Sequence, residues 1–217
     1  MSASTIRAIR RKKSGLSEVK LVVLGATGVG KTALTVRFLT KRFIGEYDHQ
    51  TENRYKNEMM VDGEPVIFEV LDTCPKVEGA FPKEETLHWA DGFMLVYSIT
   101  DRSSFNYVKE LRQRLRHSIA TSSSTSTHQM PYPVLIVANK SDLIHLRQVG
   151  TEEGEIFAKE NDDGFAEVSA SDHVTQVSEA FDALCREVHA FRRRSKQSLL
   201  DRMLGNKGGI KNDTNKK

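Results

Sequence analysis

Eight consecutive residues, Gly25-Ala26-Thr27-Gly28-Val29-Gly30-Lys31-Thr32, set three glycines, an amine and a hydroxyl at the spacing G-x-x-x-x-G-K-[ST]. Glycines let successive backbone N–H groups curl around phosphate oxygens, and a helix opening at the end of the run adds a field that favours anions. A lysine there reaches the β- and γ-phosphates, and the threonine hydroxyl is a hard oxygen ligand for Mg2+. Gly25 through Thr32, with Ala33 directly behind, are therefore candidate nucleotide contacts, and Thr32 is also a candidate metal ligand.

A phosphate loop does not name a base. Asn139-Lys140-Ser141-Asp142 goes further. A carboxylate there accepts from both the N1–H and the exocyclic amine of guanine, a pattern adenine does not offer. Glu167-Val168-Ser169-Ala170 follows the next strand, where a backbone N–H can meet the guanine O6. A third group, Asp72-Thr73, ends the apolar run PVIFEVL and precedes Cys74-Pro75-Lys76. A strand that delivers an acid and a hydroxyl to its tip suits a metal or a phosphate.

These groups need elements to hold them. VKLVVLG (19–25) reads as a buried strand ending at glycine, and Ala33, Leu34, Phe38 and Leu39 are spaced for the helix after it. Residues 55–61 and 65–71 flank Asp62-Gly63, a strong hairpin signal. GFMLVYSI (92–99) and PVLIVAN (133–139) are continuous apolar runs, each followed by helical periodicity, and 164–168 is a last short strand. Phe181, Leu184, Cys185 and Val188 mark the inner stripe of a closing helix. Strands apolar on both faces and alternating with helices predict an α/β fold with a mostly parallel sheet covered by helices.

The chain of 217 residues suits one domain with tails. The reading divides it into a basic tail over 1–18, a domain over 19–191 carrying a Ser-rich loop at 118–129, and a basic tail over 192–217 expected to stay disordered until bound. Charge follows that division. Residues 1–20 carry +5 and residues 186–217 carry +7, which leaves −9 on the middle of a chain whose total is +3. Anionic partners would meet the tails: Arg10 to Lys13 and Arg192 to Lys196 suit an anionic membrane surface or a nuclear-import receptor. Two cysteines without metal-ligand spacing, Cys74 and Cys185, fit a reducing cytoplasmic or nuclear setting. The sequence shows neither a C-a-a-X ending nor a Met-Gly start, so no lipid anchor is expected.

Taken in order, G-x-x-x-x-G-K-T, D-T, N-K-x-D and S-A resemble the Ras-like small GTPases over residues 18–190. FLTKRFIGEYD (38–48), HWADGF (88–93), SITDRSSF (98–105) and LCREV (184–188) are similar to the subgroup of Ras-related and estrogen-regulated growth inhibitor-like proteins. A P-loop nucleoside or adenylate kinase is the nearest rival, and N-K-x-D argues against it. The resemblance implies a P-loop G domain with six strands, one of them antiparallel. It also implies GTP or GDP with Mg2+ as ligands, protein effectors that the sequence does not name, and a monomer. In that pattern Phe43 leans on the guanine edge (its alternative being a core position), Asn139 and Asp142 read the base, and Lys140 packs on the sugar and loop. Ser169 and Ala170 complete the base site, and Asp72 holds Mg2+ through water.

The same resemblance exposes departures. Where the family has Gly and then the catalytic Gln, this chain has Pro75 and Lys76. Proline has no N–H to offer the γ-phosphate. A hydrogen bond to a charged group contributes about 1.5–3 kcal/mol, so GTP loses about ten- to a hundredfold of its advantage. Protonated Lys76 accepts no hydrogen bond from water, so the position is expected to be catalytically inert. Gln50 stands where the first switch has its Mg2+-binding Thr; Thr51 is one residue late and becomes a ligand only through a local slip. Thr27 occupies a family glycine position that an activating arginine would crowd, and Ser171 replaces a supporting Lys. Two functions follow as expectations. One is a GTP/GDP-binding signalling protein with slow or absent hydrolysis. The other is a scaffold insensitive to nucleotide, acting through its switch surface and tails.

Overall fold

The computed structural model describes residues 16–45, 51–74, 81–122 and 132–205. The strands are β1 (Ser17–Leu24), β2 (Asn53–Val61), β3 (Glu64–Asp72), β4 (Gly92–Ser98), β5 (Val134–Asn139) and β6 (Gly164–Glu167). The α-helices are α1 (Lys31–Thr40), α2 (Glu84–Trp89), α3 (Arg102–Ser122), α4 (Thr151–Glu160) and α5 (Val174–Gly205). A 3-10 helix, Ser141–Leu146, lies between β5 and α4. The sheet order is β2-β3-β1-β4-β5-β6, with β2 antiparallel to β3 and every other pair parallel.

Two apolar layers cover the sheet, and strand alternation sends each side chain to one of them. Val19, Leu21 and Val23 of β1 join Phe38 of α1 and Phe181 and Leu184 of α5. Val22 and Leu24 join Phe105 and Leu111 of α3, Leu87 of α2 and Ala158 of α4. The first layer is fixed by rings. Phe38 stacks on Phe181 at 4.1 Å between centroids and meets Phe68 edge-on at 5.0 Å. The hairpin forms at Asp62 (φ 51°) and Gly63 (φ 81°), pairing Val61 with Glu64. Arg186 of α5 grips the Asp62 carboxylate with two bonds of 2.8 and 2.7 Å, so the turn is held against the closing helix.

Two expectations need correction. Residues 118–122, placed in the Ser-rich loop, are the last turn of α3, while 123–131 lie outside the described residues. The closing helix does not stop near 191 but runs to Gly205. Between Arg192 and Leu204 the chain has neither Gly nor Pro and is rich in Arg, Lys, Gln, Leu and Met, all good helix formers.

The second layer holds a charge. Arg112 of α3 is 1% exposed, and its Nε and Nη2 meet Asp163 at 2.5 and 2.9 Å; Nη2 also donates to the Asn161 carbonyl at 3.0 Å. This pair pins the turn before β6 to α3. Arg112→Met strands a buried carboxylate and is expected to cost about 3–5 kcal/mol, read as a lower urea midpoint. The double change to Arg112→Met with Asp163→Leu removes both charges and is expected to cost less.

Candidate functional site

The turn from β1 into α1 is shaped by two close approaches. A Cβ on Gly25 would lie 2.2 Å from the Val96 carbonyl oxygen, so the loop leaves the sheet only because Gly25 has no side chain. Gly30 has φ 96°, and a Cβ there would lie 2.3 Å from Nδ2 of Asn139. Between them Val29 is buried in the core while Thr27 and Gly28 are exposed. Val29 thus anchors the loop beside its two exposed residues. Lys31 folds back across it, donating from Nζ to the carbonyls of Gly25 at 2.9 Å and Ala26 at 2.8 Å. Burial depresses the Lys31 pKa, against the opposing pull of the Asp72 charge.

Asn139, 1% exposed at the end of β5, joins the two halves of the site. Its Nδ2 donates to the Val29 carbonyl at 2.8 Å, and its Oδ1 accepts from the Ala170 N–H at 3.2 Å. One side chain therefore ties the phosphate loop to the Ser169-Ala170 turn. Lys140 adopts a left-handed conformation (φ 67°), which swings the chain so that the Ser141 N–H reaches the Val168 carbonyl at 3.2 Å. Ser169, fully buried, donates its hydroxyl to Oδ1 of Asp142 at 2.6 Å and accepts from the Asp172 N–H at 3.1 Å. Asp142 is thus oriented by Ser169, a role the spacing of the motifs does not reveal. Ser171 shares that cluster through a hydroxyl contact of 2.9 Å to Ser169, and its carbonyl accepts from Arg37 at 3.2 Å.

Across the loop stands the end of β3. Asp72 is 2% exposed and pairs in register with Val23. The Thr73 hydroxyl donates to the Val23 carbonyl at 2.7 Å, extending the seam by one residue. Thr32, Thr51, Thr73 and Cys74 line one pocket with Thr27 and Lys31. Thr51 lies on its rim, its hydroxyl accepting from Asn53 at 3.3 Å. Among the described residues no three His, Cys, Asp or Glu side chains gather to hold a metal. The oxygens present, a hydroxyl on Thr32 and a carboxylate on Asp72, fit a cation that takes most of its ligands from phosphate and water, as Mg2+ does. The cradle with a buried amine fits a polyphosphate.

Phe43 is 44% exposed after α1, so it is not a core residue. Gln50, Pro75 and Lys76 lie outside the described residues. Cys185 is buried in the first layer, where burial pushes its thiol up to about 11.

Residues 20–190 match the Ras family. The Ras-related and estrogen-regulated growth inhibitor of Homo sapiens is 45% identical over 172 residues, covering 79% of this chain and 82% of that protein. The Ras-related and estrogen-regulated growth inhibitor-like protein of Bos taurus is 42% identical over 174 residues, covering 80% and 84%. Ras-like protein family member 11B of Danio rerio is 42% identical over 174 residues, covering 77% of this chain and 68% of its own length.

The two bonds of Asn139 give a prediction separate from any ligand. Asn139→Ala leaves the Val29 carbonyl and the Ala170 N–H without this partner, at about 1 kcal/mol for each bond. The nucleotide-free variant should unfold at lower urea, with an unchanged slope; a midpoint equal to that of the parent protein would contradict the bridging role.

Proposed function

The chain belongs to the Ras family, and on that footing we propose that it binds GDP and GTP with Mg2+ and hydrolyses GTP slowly or not at all. The observation that carries this reading is the side chain of Asn139, which couples the phosphate loop to the turn of Ser169 and Ala170. In this reading Gly25 to Ala33 cradle the phosphates, with Lys31 as their counter-charge. Asp142, held by Ser169, accepts from the guanine N1–H and amine; Asn139 and the Ala170 N–H support the ring; Lys140 and Phe43 flank it. Thr32 and Asp72 hold the ion, with Thr51 as a further candidate, and the ion neutralises charge on the phosphate oxygens when bound.

The hydrolytic half is where the chain departs from its family. Pro75 supplies no N–H and protonated Lys76 accepts no hydrogen bond, so neither the γ-phosphate contact nor the placing of water is supported. GDP and GTP then bind alike, and a ligand with equal affinity for two states shifts neither. That consequence favours a second reading, a scaffold whose switch surface and basic tails hold a partner whichever nucleotide is present. The proposed setting is cytoplasmic, as a monomer, with weak anionic-membrane or nuclear-import contact through the tails. Among the described residues no helix is long and apolar enough to cross a membrane.

Titrating nucleotide-stripped protein in Mg2+ tests the binding claim. GDP and GTP are expected to bind within about tenfold of each other and ADP far more weakly; equal binding of ADP would overturn the assignment of the base. Single-turnover hydrolysis should fall below roughly 10⁻⁴ s⁻¹, the scale of an unassisted enzyme with its glutamine. Pro75→Gly with Lys76→Gln should raise it, and a parent rate already at that scale would refute the hydrolysis claim.

A further inference from the structure

The helix α5 carries Arg192, Arg193 and Arg194 immediately before Ser195. From Arg193 to Ser198 every residue is exposed, on the part of the helix that outruns the expected end of the domain. Arg192 is different, for it closes a seam. Its Nη1 donates to the Glu18 carbonyl at 2.8 Å, and its Nη2 meets Oδ2 of Asp91 at 2.7 Å. That same Asp91 oxygen accepts from the Lys20 N–H at 2.9 Å, while the Asp91 N–H donates to the Lys20 carbonyl at 2.8 Å. Regular pairing of β1 with β4 starts only at Leu21 and Gly92. Asp91 therefore extends that ladder by one residue, and Arg192 pins its carboxylate from outside. One turn back, His189 Nε2 meets the Ser17 hydroxyl at 2.8 Å.

We propose that Ser195 is a phosphorylation site for an arginine-directed serine kinase, and that its phosphate captures Arg192 and unclasps the start of β1. The inference rests on α5, β1 and Asp91 before β4, and does not depend on nucleotide binding. The three arginines present the run of cationic charge that such kinases read, and Arg193 to Ser198 form an exposed stretch of helix of the kind that opens locally for an extended substrate site. In the transfer the Ser195 oxygen bonds to the γ-phosphorus of ATP as the bond to ADP breaks, and the hydroxyl proton leaves to the base of the kinase. Residues 192 and 195 are three apart on a helix and so share a face. A phosphate of nearly two negative charges with three acceptor oxygens outcompetes the single carboxylate of Asp91 for the guanidinium. Asp91 loses its pin, and the Lys20 amide loses a fixed acceptor.

The test treats the full-length protein with the catalytic subunit of an arginine-directed serine kinase and Mg-ATP. Peptide mass spectrometry should place a single phosphoryl group on Ser195. Incorporation should be lost in Ser195→Ala and kept in Ser14→Ala, which removes the serine behind Arg10 to Lys13. Amide exchange at Lys20 should then speed up on phosphorylation, by the factor that Arg192→Gln produces in unmodified protein. Phosphate confined to Ser14, or none at all, overturns the site. Phosphate on Ser195 with unchanged exchange at Lys20, while Arg192→Gln accelerates it, overturns the unclasping.

Discussion

A buried amide on Asn139 faces two loops at once, and the site depends on what it requires of each. Its donor end needs the Val29 carbonyl and its acceptor end needs the Ala170 N–H. A buried side-chain amide with an unmet group costs more than a hydrogen bond returns, so both loops must come to it. The phosphate loop can do so only because Gly30 has no Cβ to strike Nδ2. The Ser169-Ala170 turn does so because Ser169 is buried and tied to Asp142 and Asp172. The sheet provides the fixed base: β1 and β5 are each paired to β4, and β6, from which the Ser169-Ala170 turn leaves, is paired to β5.

The two sides of the pocket are held differently. Around the phosphate loop and the turns after β5 and β6, backbone and side-chain bonds hold Lys31, Asn139, Asp142, Ser169 and Ala170 in place. On the other side the pocket is lined by Thr51 and by the tip of β3 at Thr73 and Cys74. Thr73 is spent on the Val23 carbonyl, which secures the strand end. Pro75 and Lys76 follow in the chain, a residue without an N–H and one that accepts no hydrogen bond when protonated, and the proposed loss of hydrolysis rests on them. In the proposed function, guanine nucleotide is held with little regard to its last phosphate.

Much of this was legible in the residues because the motifs report backbone requirements. G-x-x-x-x-G-K-T encodes a turn between a strand and a helix, and Asp62-Gly63 encodes a turn that needs two positive φ angles. The alternation of Val19, Leu21 and Val23 against Val22 and Leu24 encodes the two layers. What stayed hidden were contacts between distant residues. Asn139 and Val29 are 110 positions apart, and nothing in N-K-x-D says that its asparagine reaches the phosphate loop. The bond from Ser169 to Asp142 and the ion pair of Arg112 with Asp163 are hidden for the same reason. The length of α5 is hidden on a different ground: a basic segment that contains Gly and Asn reads as disordered, whereas arginine, lysine and glutamine are also good helix formers.

The account stands or falls on whether the pocket holds guanine nucleotide and fails to turn it over. The direct measurement is to purify the protein without added nucleotide, denature it, and chromatograph what it releases. The account predicts about one guanine nucleotide per chain, with GTP a substantial part of it because hydrolysis is slow. Release of GDP alone, from protein that also converts added GTP at the ordinary family rate, would contradict the hydrolytic half. Release of no nucleotide, with no binding on addition of GDP and Mg2+, would contradict the whole.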